Sequence, residues 1–316
     1  MRVISFLLLG CGLAWGLSGC GGSAPEGGTP EGGAGTKVIG AALLTKTHVF
    51  YQDMVEAMKA EAAKNNITIR FQFAEFDGQK QNNHIETFIQ QKVDALIIAP
   101  HDSGGVAPVI AEARAAGIPV FTADIAATGA DVVSHIASDN EAGGRLLGEY
   151  LAKLLGGKGK IAIIDHPIVS SVQDRTRGFE AALAAFPEMQ IVQRVPGDGQ
   201  LDKAFTATQR LLEAQKDITA IFGINDDSAL GALAAVESAG LSDSIVIVGF
   251  DGTPEARKKI AEGSILKADT VQFPDKIGTA TIQTIVRYWN GETVPPSIPV
   301  EVAVIDQESL KNEAAP

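Results

Sequence analysis

The sequence predicts an α/β fold of two similar lobes, in each of which helices cover both faces of a parallel β-sheet. From Lys37 onward, short apolar runs rich in β-branched residues alternate with amphipathic helical segments. Strand starts recur at intervals of about 24–29 residues, which indicates βαβ units and parallel sheets. The runs are almost wholly apolar, as strands buried on both faces are. The same series of four strands occurs twice, and this repetition predicts two lobes.

The predicted strands fall into two series separated by residues near 133–145. Strands of the first series are 38–44, 67–73, 95–99 and 118–123. Strands of the second series are 160–165, 189–195, 218–224 and 244–250, and one more is expected near 265–271. The segments between them carry apolar residues at helical spacing. In the segment after the first strand, Met54, Met58 and Ala62 share one face, and Asn65-Asn66 ends the helix.

The N-terminal residues are typical of a targeting segment rather than of the fold. Arg2 precedes an apolar run over 3–17, which is too short to span a bilayer comfortably. The run ends in Leu-Ser-Gly-Cys at 17–20, which resembles the cleavage motif of bacterial lipoproteins. We therefore expect a signal peptide over 1–19 and a lipid on Cys20. An ordinary signal peptide that happens to contain a cysteine is the alternative.

Cysteine usage agrees with this prediction. The chain contains two cysteines, Cys11 and Cys20, so cleavage and lipidation would leave no pair for a disulfide. Residues 20–36 are the lipidated cysteine and a run of Gly, Pro, Ser and Glu, which cannot bury apolar surface. The sequence therefore predicts a flexible tether between a lipid anchor and a folded, extracytoplasmic part.

Composition and motifs exclude several classes of function. A net charge of −12 argues against nucleic acid or an anionic membrane surface as partner. We find no GxSxG elbow and no HxxxH pair, and "GGKGK" at 156–160 lacks the Ser or Thr of a phosphate-binding loop. The short acidic run at 225–227 has no companions at metal-ligand spacing and fits a helix N-terminus. The sequence therefore predicts no enzyme, no metal site and no cofactor.

Polar side chains instead follow several predicted strands. Asp124 ends the strand at 118–123, Asn225 and Asp226 follow 218–224, Asp251 follows 244–250, and Gln272 follows the strand near 265–271. Parallel strands place their carboxyl ends at one edge of each sheet, where ligands of open α/β sheets bind. Carboxylates and amides from two facing lobes suit a small ligand with many hydroxyl groups. For Asp124, the alternative is that its side chain caps the following turn.

Four segments carry a resemblance to a known family. They are "VVSHIASDNEAGG", "NDDSALGALAA", "VIVGFDGTPEA" and "VQFPDKIG". They are similar to the ribose-type (type I periplasmic) sugar-binding proteins of bacterial ABC importers, and the likeness covers residues from about 37 to 304. The resemblance implies two Rossmann-like lobes joined by a hinge of three chain crossings, near 136–139, 270–273 and 299–302. The N-terminal lobe would then be 37–138 plus 273–300, the C-terminal lobe 139–272 plus 301–308, and 309–316 a tail.

The same resemblance implies a function. Proteins of this type are monomeric receptors without cofactors that close around a sugar or polyol and deliver it to an ABC permease. Hinge closure of this kind has periplasmic binding proteins as its standard example. The alternative is a sugar-sensing co-receptor for a chemoreceptor or a sensor kinase. Genes for an ATPase and a permease beside this one would favour transport, and a sensor gene would favour signalling.

Ligand contacts carry over from the family to matching positions of this chain. Aromatic positions over the sugar face are taken by Phe50 and Tyr51, whose alternative role is a hydrophobic staple at the helix start. The complete set that the resemblance implies is His48, Phe50, Tyr51, Asp124, Arg175, Asn225, Asp251 and Gln272.

Three positions depart from the ribose-type pattern. Ile125 stands where that pattern has Arg, and Ala99 stands where it has Asn. The loop after the second strand of the C-terminal lobe has Gly199 and its neighbours where the pattern has an aromatic residue. A ligand oxygen left without a donor costs about 1–3 kcal/mol. The departures argue against ribose itself and leave open another pentose, a hexose, a deoxy-sugar or a polyol.

Overall fold

A computed structural model describes residues 36–313. The predictions of a signal peptide over 1–19, a lipid on Cys20 and a tether up to residue 35 lie outside these residues. The described residues form two six-stranded sheets that are parallel except for one edge pairing, β10 with β12. The predicted α/β fold of two lobes is therefore confirmed.

The first lobe is built on a sheet with strand order β11-β5-β4-β3-β1-β2. Its strands are β1 (Lys37–Leu43), β2 (Ile67–Phe73), β3 (Ala95–Ile98), β4 (Val120–Ala123), β5 (Ser134–Ser138) and β11 (Ser297–Val300). Its helices are α1 (Val49–Lys64), α2 (Gly78–Gln90), α3 (Ala107–Ala115) and α9 (Pro274–Trp289). Helices α1 and α9 pack together on one face of the sheet, and α2 and α3 pack together on the other.

The second lobe repeats this design on a sheet with strand order β12-β10-β9-β8-β6-β7. Its strands are β6 (Lys158–Asp165), β7 (Glu188–Pro196), β8 (Ala220–Gly223), β9 (Val246–Asp251), β10 (Leu266–Val271) and β12 (Ala303–Asp306). Its helices are α4 (Asn140–Leu154), α5 (Ser170–Leu183), α6 (Leu201–Ala214), α7 (Asp226–Ser238), α8 (Pro254–Ala261) and α10 (Gln307–Glu313). Helix α10 contacts α8 and β12, although the sequence indicated only a tail from 309 onward.

The chain passes between the two sheets three times. It leaves the first sheet after β5 and enters α4, which packs on the second lobe. It returns after β10 into α9, which packs on α1 of the first lobe. It crosses again in the two residues between β11 and β12. Each lobe is therefore discontinuous in sequence, and three short connectors join them.

Helices α4 and α5 of the second lobe cross with their backbones in direct contact. A Cβ atom on Gly144 would lie 2.0 Å from the backbone oxygen of Arg175, and one on Gly178 would lie 2.0 Å from that of Glu141. No side chain fits at these distances, so glycine permits the two backbones to touch. This contact fixes the turn of α5 that carries Arg175.

The two lobes also contact each other directly through loops at the strand ends. The Ser103 N–H of the first lobe donates to the Ile168 carbonyl of the second at 3.1 Å. The Ser170 N–H donates to Ser103 Oγ at 2.9 Å, and Ser170 Oγ bonds both the N–H and the carbonyl of Ala126. The strand ends of the two sheets therefore enclose a cleft. No helix within 36–313 combines the length and the apolarity that crossing a membrane requires.

Candidate functional site

A cavity of about 70 Å³ lies between the lobes at the carboxyl ends of their strands. A single buried water needs roughly 10–15 Å³ of such space, so the cavity accommodates a small molecule. Its walls contain all eight side chains of the predicted set. The full lining is Leu44, Thr45, His48, Phe50, Tyr51, Phe76, Asp124, Ile125, His166, Val169, Ser171, Val172, Arg175, Gly199, Ile224, Asn225, Asp251 and Gln272.

Asp124 is the carboxylate that the first lobe contributes. The residue is buried, and its Oδ2 accepts a 2.6 Å hydrogen bond from the Tyr51 hydroxyl. This is the side-chain bond that the structure gives to Asp124, so the carboxylate does not cap its own turn. Burial raises its pKa to about 6, although Tyr51 and the nearby Arg175 charge act in the opposite direction. Asp124 is a desolvated acceptor with one oxygen available to a ligand.

Asp251 is the matching carboxylate of the second lobe, and it binds groups from both lobes. Gln272 Nε2 donates to its Oδ1 at 2.6 Å, and Arg175 Nη1 lies 3.6 Å from the same oxygen. His48 Nε2, from the first lobe, lies 3.4 Å from its Oδ2. The Gln272 Oε1 atom is buried without a donor among the described residues, so it is a free acceptor at the cavity.

His48 forms a charged contact across the cleft. It is the N-cap of α1, and its Nδ1 accepts from the Phe50 N–H at 3.2 Å, a bond that protonation would break. Burial lowers its pKa, but the hydrogen bond to Asp251 and the charges of Asp251, Asp227 and Asp226 outweigh burial. The pKa is raised to about 9, so His48 is charged at neutral pH when it contacts Asp251, and the N-cap bond at Nδ1 belongs to the neutral ring.

Arg175 is held rigidly below the cavity. Its Nε donates to Asn140 Oδ1 and its Nη1 to the Ile224 carbonyl, each at 2.8 Å. Its guanidinium carbon lies 3.9 Å from the centroid of the Phe250 ring, a cation–π stack. Because these contacts leave part of the fork unused, Arg175 can donate to a ligand in a fixed direction.

Asn225 combines a structural role with its place in the cavity wall. Its Oδ1 caps α7 by accepting from the Ser228 N–H at 2.9 Å, and its Nδ2 donates to the Gly199 carbonyl at 3.1 Å. The amide thus ties the β7–α6 loop to α7. Both groups keep further hydrogen-bonding capacity, because an amide has two donors and two acceptor sites.

Phe50, Tyr51 and Phe76 form the aromatic wall. Phe50 and Tyr51 pack edge to face, with ring centroids 5.4 Å apart. Phe76 follows β2 in a loop where it and Glu75 both have positive φ, at 60° and 54°. Residues other than glycine rarely adopt this backbone conformation. The Thr45 hydroxyl stabilises it by donating to Glu75 Oε2 at 2.8 Å.

Several lining residues were missing from the predicted set. Leu44, Thr45, His166 and Ile224 directly follow strands, so the strand-end rule would have found them. Phe76, Val169, Ser171 and Val172 lie in loops or helix starts, where no local sequence pattern distinguishes them.

Ala99, one of the departures from the family pattern, does not line the cavity. Its carbonyl accepts from Gln81 Nε2 at 2.8 Å, and the Gln81 oxygen accepts from the His101 N–H at 2.8 Å. Ile125 does line the cavity and is buried. It belongs to one apolar cluster with Val169 and Val172 of the other lobe. The cavity therefore has an aliphatic side beside Asp124.

This arrangement is suited to binding a polar ligand. The charged acceptors are Asp124 and Asp251, the charged donors are His48 and Arg175, and aromatic and aliphatic side chains form the walls. Within the described residues, no group of three or more His, Cys, Asp or Glu side chains could hold a metal ion. Charged groups of both signs next to apolar walls match the hydroxyl groups and C–H faces of a polyhydroxylated molecule.

Comparisons with known proteins agree with the fold. Residues 39–293 match the family model described as "Periplasmic binding protein domain". The ribose import binding protein of Escherichia coli is 34% identical over 268 residues, which cover 84% of this chain and 90% of that protein. The structure of a Mycobacterium smegmatis ABC transporter solute-binding protein with bound glycerol has a TM-score of 0.83. It is 33% identical and covers 89% of this chain and 98% of that one.

A second solved structure comes from Bacillus halodurans, an ABC transporter solute-binding protein with bound myo-inositol. It has a TM-score of 0.82 and 27% identity, and the match covers 89% of this chain and 98% of that one. The family model covers most of this chain, and the identities extend over both lobes. This chain therefore belongs to the periplasmic binding protein family.

Proposed function

We propose that this protein is an extracytoplasmic receptor that closes around a monosaccharide or a polyol and delivers it to an ABC permease. One observation carries the proposal: opposed carboxylates and cations from two hinged lobes line a single cavity with aromatic and aliphatic walls. The ligands named for similar proteins, which include ribose, glycerol and myo-inositol, are polyhydroxylated. Import is favoured over sensing because the curated relatives are named for import.

A thermal-shift screen of purified residues 36–316 tests this function. The panel contains D-ribose, D-allose, xylitol, myo-inositol and glycerol, with amino acids and nucleosides as other solute classes. A ligand at 100 times its Kd stabilises the native state by about 2.7 kcal/mol, so we expect Tm to rise by about 5 °C or more. A shift with another class of solute, and none with sugars or polyols, would contradict the proposal.

We also propose that a lipid on Cys20 anchors the protein to a bacterial membrane, and that the protein is a monomer. The support is the sequence pattern over residues 1–20 and the Gly- and Pro-rich run that follows. Expression of the full chain with labelled palmitate should give a labelled protein in the membrane fraction. The Cys20→Ser variant should lose the label and appear in the soluble extracytoplasmic fraction. An unlabelled, soluble wild-type protein would disprove the anchor.

A further inference from the structure

Two buried carboxyl groups lie behind Asp251, outside the lining of the cavity. Asp226 is the first residue of α7 and is 1% exposed, and Asp269 lies in the middle of β10 and is fully buried. Carboxylates are rarely buried unless a cation, a metal or a set of donors compensates their charge. The surroundings of these two groups therefore require an explanation.

The two carboxyl groups converge over Gly249. Asp269 is the register partner of Gly249 in the β9–β10 ladder. A Cβ atom on Gly249 would lie 3.2 Å from Asp226 Oδ1 and 3.4 Å from Asp269 Oδ2. The glycine thus leaves space for both side chains, whose carboxylate oxygens approach the same point beside β9.

A hydrogen bond between the two carboxyl groups requires a proton on one of them. Among the described residues, no protein donor reaches Asp226 Oδ1 or either oxygen of Asp269. Nor do the described His, Cys, Asp and Glu side chains complete a metal site with them. Two ionised carboxylates have no proton to share, and their charges repel in a low-dielectric interior. If one carboxyl group is protonated and the other is ionised, the first can donate a hydrogen bond to the second.

The surrounding contacts assign the proton to Asp269. Asp226 Oδ2 accepts from the Thr253 N–H at 2.7 Å, which favours the ionised form of Asp226. Burial and the charge of Asp226 raise the pKa of Asp269 well above its usual range. The charge of Asp251 acts in the same direction.

The charged side chains around this pair have partners other than Asp226 and Asp269. His48 and Arg175 pair with Asp251, the Asp227 carboxylate faces His48, and Arg257 donates to the Gly252 carbonyl.

Asp226 is bonded to both ends of the turn that presents Asp251. Its side chain accepts from Thr253, and its own N–H donates to Asp251 Oδ2 at 3.4 Å. Asp251 has a φ of 135°, a conformation that side-chain-bearing residues rarely adopt. Such strained positions persist only where surrounding bonds determine them. Asp226 supplies two of those bonds.

We propose that Asp226 and Asp269 share one proton, and that this pair is a positioning device that holds the Asp251 turn in its ligand-binding geometry. The role of Asp251 in binding rests on the proposed function. The shared proton and its effect on Asp251 are properties of the unliganded protein, and they can be measured without a ligand.

Infrared spectroscopy of the unliganded protein tests the shared proton. At pH 8, ordinary aspartates and glutamates are ionised, and so is Asp124 with its pKa of about 6. We expect the carbonyl stretch of a protonated carboxylic acid to persist at pH 8 in the wild type and to vanish in Asp269→Asn. A wild-type spectrum without this band at pH 8 would overturn the proposal.

The pKa of His48, followed by NMR, reports the position of Asp251. Asp269→Asn can still donate to Asp226, so we expect the elevated His48 pKa to remain. Asp269→Leu leaves the Asp226 charge buried and unpaired, so Asp251 should shift and the His48 pKa should fall toward 6.5. Thr270→Val, at another fully buried polar position of β10, is the control for general destabilisation and should leave the His48 pKa unchanged. Equal His48 pKa values in folded Asp269→Leu and in the wild type would refute the positioning role, as would a fall in Asp269→Asn.

Binding of the sugar or polyol found by thermal shift completes the test. We expect Asp269→Asn to keep its affinity within about threefold and Asp269→Leu to lose tenfold or more. If none of the tested sugars or polyols binds the wild type, the proposed function fails, while the infrared and NMR results still decide the shared proton and the position of Asp251.

Discussion

At the scale of single residues, the two cavity carboxylates share an uncommon backbone conformation. Asp124 has a φ of 68° and Asp251 a φ of 135°, and each lies at or directly after the end of a parallel strand. Positive φ turns the chain sharply, so each side chain points across the cleft instead of continuing the alternation of the strand. In both cases a bond from another element, from Tyr51 or from Gln272, fixes the carboxylate.

Asp124→Asn is the first residue-scale prediction. Asparagine tolerates positive φ and keeps the shape of the side chain, so the fold should persist. Loss of the charged acceptor should weaken sugar or polyol binding at least tenfold, since a hydrogen bond to a charged group contributes about 1.5–3 kcal/mol. Isothermal calorimetry measures the affinity. Wild-type affinity in this variant would show that Asp124 does not bind the ligand.

The same substitution is predicted to change how the stability of the protein depends on pH. The folded-state pKa of Asp124 is about 6, above its ordinary 3.8, so its contribution to stability is full below pH 3.8 and is lost as pH rises through 6. The loss amounts to about 3 kcal/mol, and Asp124→Asn should not show it. Urea unfolding of the unliganded protein between pH 4 and pH 8 measures the difference. Parallel pH profiles would contradict the buried, ionisable state of Asp124.

His48→Gln is the second residue-scale prediction. A folded pKa of about 9 means that the His48 contribution is full below pH 6.5 and is lost as pH rises through 9. At pH 7 the variant should be less stable than the wild type by about 2 kcal/mol, and the two stabilities should converge by pH 10. Urea unfolding at pH 6, 8 and 10 measures both. A difference that does not change with pH would exclude an ion pair with Asp251.

At the scale of elements, the α4–α5 crossing determines where Arg175 lies. Gly178 lies one turn after Arg175 on α5, and the Gly178 backbone touches the first turn of α4. The Asn140 side chain, at the start of α4, accepts from Arg175 Nε. Close approach of two helices therefore aligns a donor fork with the cavity, and glycine makes this approach possible.

Gly178→Ala tests this link between elements. Alanine normally favours a helix over glycine by about 1 kcal/mol, but here its Cβ would overlap the Glu141 carbonyl. We expect the free energy of unfolding to fall by about 2 kcal/mol or more and the sugar affinity to fall with it, because Arg175 moves. Ala181→Gly on the exposed face of α5 is the control, and it should lower stability without changing affinity. An unchanged affinity in Gly178→Ala would separate Arg175 from this crossing.

At the scale of the whole molecule, direct bonds between the lobes hold the cleft together. Ser170 contributes through its N–H to Ser103 and through its hydroxyl to Ala126, so it fastens the second lobe to two loops of the first. His48 and Asp251 form a further link across the cleft. The relative population of open and closed forms depends on such bonds as well as on the ligand.

Ser170→Ala should therefore shift the population toward the open form. The variant loses both hydroxyl bonds to Ala126, each worth about 0.5–1.5 kcal/mol, so we expect sugar affinity to fall about fivefold to 150-fold. Small-angle X-ray scattering should show a larger radius of gyration for the unliganded variant than for the wild type. Ser242→Ala, at an exposed position, is the control. Equal scattering and equal affinity would show that the Ser170 hydroxyl does not hold the lobes together.

Much of the architecture follows from local sequence pattern. Nine strands predicted from apolar runs are present, and their bounds differ from the observed ones by three residues or fewer. The apolar periodicity of βαβ units is a local property, so it predicts strands and helices without information on tertiary contacts. By contrast, β11 and β12 are short and partly exposed, and α10 is a single amphipathic segment, so none of them has a strong local pattern. The contacts of β12 and α10 come from residues distant in sequence.

The sequence by itself determined the two α/β lobes and the strand ends that carry polar side chains, and its family resemblance implied a set of eight residues that lie together in one cavity. Only the tertiary structure decided which groups meet: Tyr51 with Asp124, His48 with Asp251 across the cleft, and Asp226 with Asp269 beside Gly249. The physical reason is that strand periodicity acts over a few residues. Hydrogen bonds and charge compensation in a cleft depend on distances between segments far apart along the chain.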